Sequence, residues 1–446
     1  MKLAFLSTLR TALRGLCAIA LVFLALPALA ATWYVAKSGA DNASCGASVT
    51  TACLTIQYTL NNRIHKNDTV LISPGTYGEP LVLSKSVILN GLKNGAVTVN
   101  AMGISTALTV NSGVTAEVEY MTITGGFQGG FFPVGGIANS GLLALYQVKV
   151  VGNASQPDAS MLFPGFGGIS NYGTLGIYAS TVSGNSVAGG CDNVGGIVND
   201  GTLVMSYSTL SGNSAGGAGS CSPGPGGIIG STDGLFNLGN VTIDTTLISG
   251  NTIATNGGSL TITRSTLTGS GAALALYSGA VIANSTIANN GDAIDITFGF
   301  YGYGGAVSLY NTTVVNNNSG ISAPSYAFVN AQNSIFANNG GDDCASGALF
   351  GAHNIVQNAA ACFALDPSLN LLGVSPNLGP LRYNDGPTPT MMPLVGSPAI
   401  GAGNPAGCTD QNGKPLKFDQ RVLPRPQTGA CDIGAVQVQP HDPGRR

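Results

Sequence analysis

The stretch "GGIVNDGTLVMSYSTLSGN", residues 195–213, carries a single charged side chain, Asp200, and it recurs along the chain. "GGIANSGLLALYQVKVVGN" starts at residue 135 and "GGISNYGTLGIYASTVSGN" at residue 167, each filling the same 19 residues. "DGLFNLGNVTIDTTLISGN" at 233 and "TIATNGGSLTITRSTLTGS" at 252 fit the same frame. Two asparagine columns emerge from the alignment. Asn139, Asn171, Asn199, Asn237 and Asn256 share one position, and 14 residues later come Asn153, Asn185, Asn213 and Asn251, with Ser270 in the fifth copy. Looser copies continue through "VIANSTIANN", "YNTTVVNN" and "QNSIFANN".

A unit of about 20 residues built from short β-branched runs cannot bury an apolar face alone and must stack on copies of itself. Pieces such as "TLVMSYS" are too short for helices and alternate as pleated segments do, while Asn and Gly supply the left-handed backbone of sharp corners. Stacked coils pile the asparagines into ladders in which each amide satisfies its neighbour. The expected fold is all-β, a parallel β-helix solenoid. The register of "NST" at 284 and "NTT" at 311 with the repeat makes them corner asparagines rather than glycosylation acceptors. A solenoid needs covered ends. In "LTIQYTLNNRIHK", Ile56, Leu60 and Ile64 recur every four residues, the stripe of a short helix that covers the first coil. From about Asp366 the repeat gives way to prolines and then basic residues, read as a looped C-terminal cap.

Composition limits the function. Only 8% of the 446 residues are charged, against about 25% in ordinary soluble domains. The net charge is −3, and between Lys149 and Arg382 the one cationic side chain is Arg264, which leaves no basic face for nucleic acid. Lys2, Arg10 and Arg14 precede the apolar run 16–26 and "LPALAATW", the pattern of a signal peptide ending at Ala30. No later segment is long and apolar enough for a transmembrane helix, so the expectation is an exported, monomeric chain: residues 31–365 form the solenoid and 366–446 the cap and tail. Beyond Cys17, eight cysteines fall into close pairs, Cys45 with Cys53, Cys191 with Cys221, Cys344 with Cys362 and Cys408 with Cys431. An even count in an exported chain suggests four disulfides, although eight cysteines allow 105 connectivities. Scarce histidine and the lack of any CxxC pair argue against a metal cluster.

The opening "WYVAKSGADNASCGA" through "NDTVLISPGTYGEPLVL" resembles bacterial β-helix proteins of the pectin-lyase-like superfamily, and that resemblance implies a right-handed solenoid. The tail segments "GGDDCASGALFGAHNIVQNAAACF", "LGPLRYNDGPTPTMMPLVGSPAIGAG" and "FDQRVLPRPQTGACDIGAVQ" resemble the choice-of-anchor Q family of exported bacterial surface proteins. Members of that family often carry an acidic residue where this chain has Gly401. They commonly continue into an anchoring segment where this chain ends in "QVQPHDPGRR", which implies release into the medium or non-covalent retention. The family implies a fold and an address, and no reaction.

The fold also hosts polysaccharide lyases and hydrolases, so catalytic candidates need weighing. A lyase would need carboxylates for calcium and a base, and a hydrolase facing carboxylates. Arg264 and Asp244 lie near equivalent positions of successive copies and read as a surface ion pair or as unrelated exposed groups, while Asp292 and Asp295 form an acidic pair in a loop, either solvated or a calcium site. Asp342, Asp343 and His353 read as structural parts of the tail motif. No acid–base pair stands out, and no cofactor is expected beyond calcium if the chain is a lyase. The stronger signal is geometric. Insertions at 126–134, 154–166, 186–194 and 214–232 all follow the second ladder position and would form a wall along one edge. They carry Phe127, Phe131, Phe132, Phe163 and Phe166; rings raised on loops are typical of sugar-stacking or contact surfaces, and the equal alternative is that they pack the loops onto the solenoid. The expected function is a non-catalytic scaffold binding polysaccharide or a cell surface through these loops. The alternative is a polysaccharide lyase or glycoside hydrolase.

Overall fold

The structure is a computed structural model that describes residues 30–93, 96–158, 163–216, 231–296, 305–324, 327–341, 343–345, 348–362 and 365–442. The segment read as a signal peptide, Cys221 and Asp342 lie outside the described residues.

Each coil contributes one strand to each of three parallel sheets. The first sheet begins with Thr32–Val35, the second with Gly75–Tyr77 and the third with Leu81–Leu83. One residue type stacks on its like from coil to coil. In the first sheet Leu143, Leu175, Leu203, Val241 and Leu260 are aligned partners, and in the second Ile123, Val150, Val182, Leu210 and Ile248 are. All ten are buried inside the coil stack. The alternation in "TLVMS" arises because one face of the strand points into this core and the other outward. Every ladder runs parallel, so the fold is a parallel β-helix.

The repeated glycines are explained by the same stacking. A Cβ on Gly136 would lie 2.3 Å from the carbonyl oxygen of Gly168, and one on Gly168 would lie 2.3 Å from that of Gly196, so side chains are excluded from this column. At the corner after the second sheet, Gly152, Gly184, Gly212, Gly250 and Gly269 have φ between 57° and 71°. Asn289, Asn316 and Asn338 take the left-handed conformation in the looser copies.

Both asparagine ladders form. Asn153 donates to Asn185 at 2.9 Å, Asn185 to Asn213 at 2.9 Å and Asn213 to Asn251 at 2.8 Å. Asn139, Asn171, Asn199 and Asn237 are linked in the same way. Asn256 is not the next rung of that column, because Asn237 is aligned with Thr255. The fifth copy has one extra residue at its corner: Asn256, Gly257 and Gly258 precede Ser259, where Leu238 and Gly239 precede its partner Asn240. Counting back from Ser270 therefore lands one position late. A third ladder, of hydroxyls, lies at the corner between the first and second sheets. Ser180, Ser208, Thr246, Ser265 and Ser285 each accept a hydrogen bond from the backbone N–H of the coil before.

The helix Ile56–Asn62 covers the first coil, with Ile56, Leu60 and Ile64 buried as the four-residue spacing requires. Thr55 caps it, and Glu79 accepts the amides of Ile56 and Gln57. At the far end Ala359, Cys362, Leu365 and Leu372 pack on the core. Beyond residue 376 the looped tail turns back along the flank of the solenoid. There Met391, Ala399 and Ile433 bury the outer side chains Ala288, Val315, Ile335, Ala337 and Ile355. Strand Thr313–Val315 is buried on both faces for this reason. Asn284 and Asn311 are indeed corner residues, buried under the tail, where Asn284 donates to the carbonyl of Phe418 and Asn311 to Cys408 Sγ. Arg421 is buried between Asp419 and Asp442.

Candidate functional site

Among the described residues, both legs of each of the four insertions are hydrogen-bonded to their neighbours. Their outgoing legs, Phe127–Gly130, Ala154–Pro157, Ser186–Val187 and Ser214–Ala215, pair in parallel as a fourth, short sheet. Their returning legs are joined through Val134, Phe166, Val194 and Thr232. Asn193 ties the loops together, accepting from the amide of Gly165 and donating to the carbonyls of Gly189 and Gly216. Loops pinned at both ends hold whatever they display in fixed positions. Cys191 is disulfide-bonded. The other cysteines pair as their spacing suggested, in the disulfides Cys45–Cys53, Cys344–Cys362 and Cys408–Cys431.

The phenylalanines divide into two groups. Phe131, Phe132 and Phe163, from two different loops, form one cluster with ring centroids 4.5 Å and 4.8 Å from Phe163. Phe131 is 57% and Phe132 47% exposed, and Phe127 on the neighbouring strand is also exposed. Phe166 differs: it is 4% exposed and packs with Val134, Val194, Val198, Phe236 and Ala254 over the outer face of the third sheet. Its place among the expected surface rings is thus corrected, since it fastens the loop to the solenoid.

The charged candidates lie in different parts of the molecule. Arg264 Nη2 meets Asp244 Oδ2 at 2.6 Å at the corner between the first and second sheets. Thr263 Oγ1 also donates to Asp244, and Arg264 Nε to Thr245 Oγ1. Asp292 and Asp295 are both on the strand Asp292–Ile296 of the third sheet rather than in a loop. Burial, and then the neighbouring Asp292 charge, push the Asp295 carboxyl above the usual range. Asp343 is buried and bonded to Asn339 and to the amide of Asn358. His353 is a left-handed corner residue. Among the described residues, three groups of metal-binding type converge at Asp41, Cys45 and Cys53, where the two sulfurs are bonded to each other.

One feature of the surface has no counterpart in the sequence reading. Tyr120, Tyr146, Tyr178 and Tyr207 run in file along the corner between the first and second sheets, with neighbouring centroids 5.4 to 5.6 Å apart. Burial, then Tyr207 and Tyr146, push the Tyr178 phenol up to about 12, so it stays protonated. The signal was available as a tyrosine at or next to the last residue of four successive first-sheet strands.

No family profile matches the chain, and no curated protein matches it. Among solved structures, the chain is similar to the pectate lyase Pel9A at 13% identity and a TM-score of 0.42, covering 92% of this chain and 96% of that one. It is similar to XylC, solved with xylose, at 9% identity and a TM-score of 0.47, covering 92% and 98%. The GH136 lacto-N-biosidase from Eubacterium ramulus follows at 10% identity and a TM-score of 0.29, covering 73% and 67%. Likenesses this distant carry no argument about chemistry, and the fold stands on the parallel ladders of this chain. Among the described residues, no helix is long and apolar enough to cross a membrane.

Proposed function

We propose that the protein is an exported, non-catalytic β-helix scaffold that holds polysaccharide, or another cell-surface component, against the loop edge of the solenoid. The observation that carries this reading is the cluster of exposed Phe131 and Phe132 with half-buried Phe163, on loops whose two legs are pinned. Leaving large rings in water is unfavourable, and a rigid exposed aromatic patch is typical of a contact surface. The tail motifs that resemble the choice-of-anchor Q family fit a surface address. The test is binding of the purified chain to a panel of neutral and acidic polysaccharides, comparing wild type with Phe131→Ala/Phe132→Ala. Loss of binding with unchanged melting supports the reading, and unchanged binding removes it.

A second reading, cleavage of polysaccharide, rests on Asp292 and Asp295. One of the two carboxyls is pushed upward beside a second, the arrangement that separates an acid from a base. A lyase would also call for calcium. Shortened or unsaturated products in the same incubation, abolished by Asp295→Asn, would establish this reading over the first.

A further inference from the structure

The tail motif around "LRYNDGPTPTMM" plays no part in the loop-edge reading, yet it folds into a defined turn. The backbones of Arg382 and Thr390 exchange hydrogen bonds, at 3.1 Å and 2.8 Å, and close the turn between them. That turn rests on buried Arg421: Nη1 of Arg421 donates to the Asn384 carbonyl, and a Cβ on Gly386 would lie 2.9 Å from the Arg421 Cα. The backbone here is therefore seated on the ion-paired floor that Arg421 makes with Asp419 and Asp442.

Asn384 is buried, and its Nδ2 donates to the Thr390 carbonyl at 2.8 Å, to Thr390 Oγ1 at 3.1 Å and to the Arg382 carbonyl at 3.2 Å. Three acceptors around Nδ2 fix the orientation of the amide. Its Oδ1 then accepts from Arg382 Nε at 3.0 Å, so a buried side chain orients an exposed cation. Arg382 Nη1 and Nη2 have no partner among the described residues.

The outward side chains of this turn are not used in packing. Tyr383 is 62% exposed, and Arg382 and Asp385 are exposed as well. With Asn384 and Met392 these three line a cavity of about 230 Å³. Arg382 and Asp385 border the same cavity without pairing with each other, and among the described residues neither pairs with any other charge. Pockets for drug-sized ligands run to about 300–1,000 Å³, so this one suits a smaller molecule.

We propose that this cavity in the tail binds an α-amino-acid zwitterion. The ligand's carboxylate seats on the Nη1 and Nη2 edge of Arg382, a planar fork that matches a carboxylate bidentately. Its ammonium faces Asp385, and its side chain lies against Tyr383 and Met392. Asn384 holds the fork in place before the ligand arrives, which lowers the ordering cost of binding. The charge pattern disfavours other small ions: Asp385 repels phosphate and sulfate, and Arg382 repels simple cations. The zwitterion belongs either to a free amino acid or to the end of a larger molecule. The site lies on a different element from the phenylalanine cluster and stands whether or not that cluster binds polysaccharide.

The test is isothermal titration of the full chain with phenylalanine, leucine, glutamine and lysine, and with γ-glutamylphenylalanine, which carries an intact zwitterion on a larger body. At least one of these is expected to bind saturably, and its N-acetyl and amide derivatives, each lacking one charge, to bind about 10-fold or more weakly. Tighter binding of the free amino acid or of the γ-glutamyl compound supports the site in either case and names its source. Arg382→Gln and Asp385→Asn are each expected to weaken binding about 10-fold or more with the melting curve unchanged, because both side chains are exposed. Lys414→Gln, elsewhere on the tail, and Phe131→Ala/Phe132→Ala are expected to bind as wild type. The proposal is overturned if no probe binds, if the N-acetyl or amide derivative binds as well as its parent, or if either charge variant binds as wild type.

Discussion

Arg425 Nε and Nη2 both donate to Asn284 Oδ1, at 3.1 Å and 2.9 Å, across 141 residues of chain. The guanidinium is buried and, among the described residues, pairs with no carboxylate. Its other N–H groups go to the carbonyls of Gly434 and Asp432. Burial therefore dominates its protonation and lowers it to about 10, against the pull of Asp419 and Asp432. This contact joins a corner of the solenoid to the tail lying on its flank. Asn284→Ala leaves two donors of a buried cation unpaired, and hydrogen bonds to charged groups contribute about 1.5–3 kcal/mol each. The variant is expected to lose about 3 kcal/mol in urea melts and to release the tail first under limited proteolysis. A tail as resistant as in wild type would show that it is held elsewhere.

Asn185 sits mid-ladder with no exposed surface, accepting from Asn153 N and Nδ2 and donating to Asn213 Oδ1 and the Val150 carbonyl. Asn185→Ala strands several buried polar groups, each of which costs about 1–3 kcal/mol when unpaired. A loss of about 3 kcal/mol is expected by chemical denaturation. Asn256→Ala, one position off the ladder, is expected to cost much less, and equal losses would refute the register described above.

The two kinds of phenylalanine separate in a stability assay. Phe166→Ala removes a buried ring and is expected to cost about 3–5 kcal/mol, whereas Phe131→Ala is expected to stay within about 0.5 kcal/mol of wild type. A large loss for Phe131→Ala would mean that its cluster is a core of the loops rather than a contact surface.

Two carboxylates give opposite pH signatures. The Asp295 carboxyl is raised in the folded chain, by burial first and then by Asp292. Its favourable contribution is complete below the unfolded value of about 3.9 and is lost as pH rises through the folded value. Asp295→Asn is thus expected to melt higher than wild type at neutral pH, with the difference vanishing in acid. Burial also pushes Asp68 upward, but hydrogen bonds from His65, Trp33 and Ala31 outweigh it and hold this carboxyl below its ordinary value. Its contribution is present above the unfolded value and lost as pH falls through the folded one. Asp68→Asn is expected to melt lower at neutral pH and to converge on wild type in strong acid. Thermal melts across pH check both signs, and a reversed trend in either would overturn that assignment.

The coils were legible in the sequence because each rung meets nearly the same environment as the one before, so the pattern of inward Leu and Ile, corner Gly and ladder Asn repeats. The capping helix was legible from three residues, Ile56, Leu60 and Ile64, for the same local reason. Asn256 was misplaced because one extra corner residue shifts a column without disturbing the strands. The tyrosine file and the serine ladder were present in the repeat but carry meaning only when coils are stacked.

Sequence periodicity alone determined the solenoid, its ladders and the edge that carries the insertions. The tertiary structure decided which ring is exposed and which is buried, and where the tail lies. Phe131 and Phe166 belong to the same kind of loop and differ only in what packs on them. The tail meets the solenoid through contacts such as Arg425 with Asn284, which have no period and span more than a hundred residues. Such contacts follow from the shape of the finished coil stack, and that shape also leaves one part of the second sheet covered and the rest open.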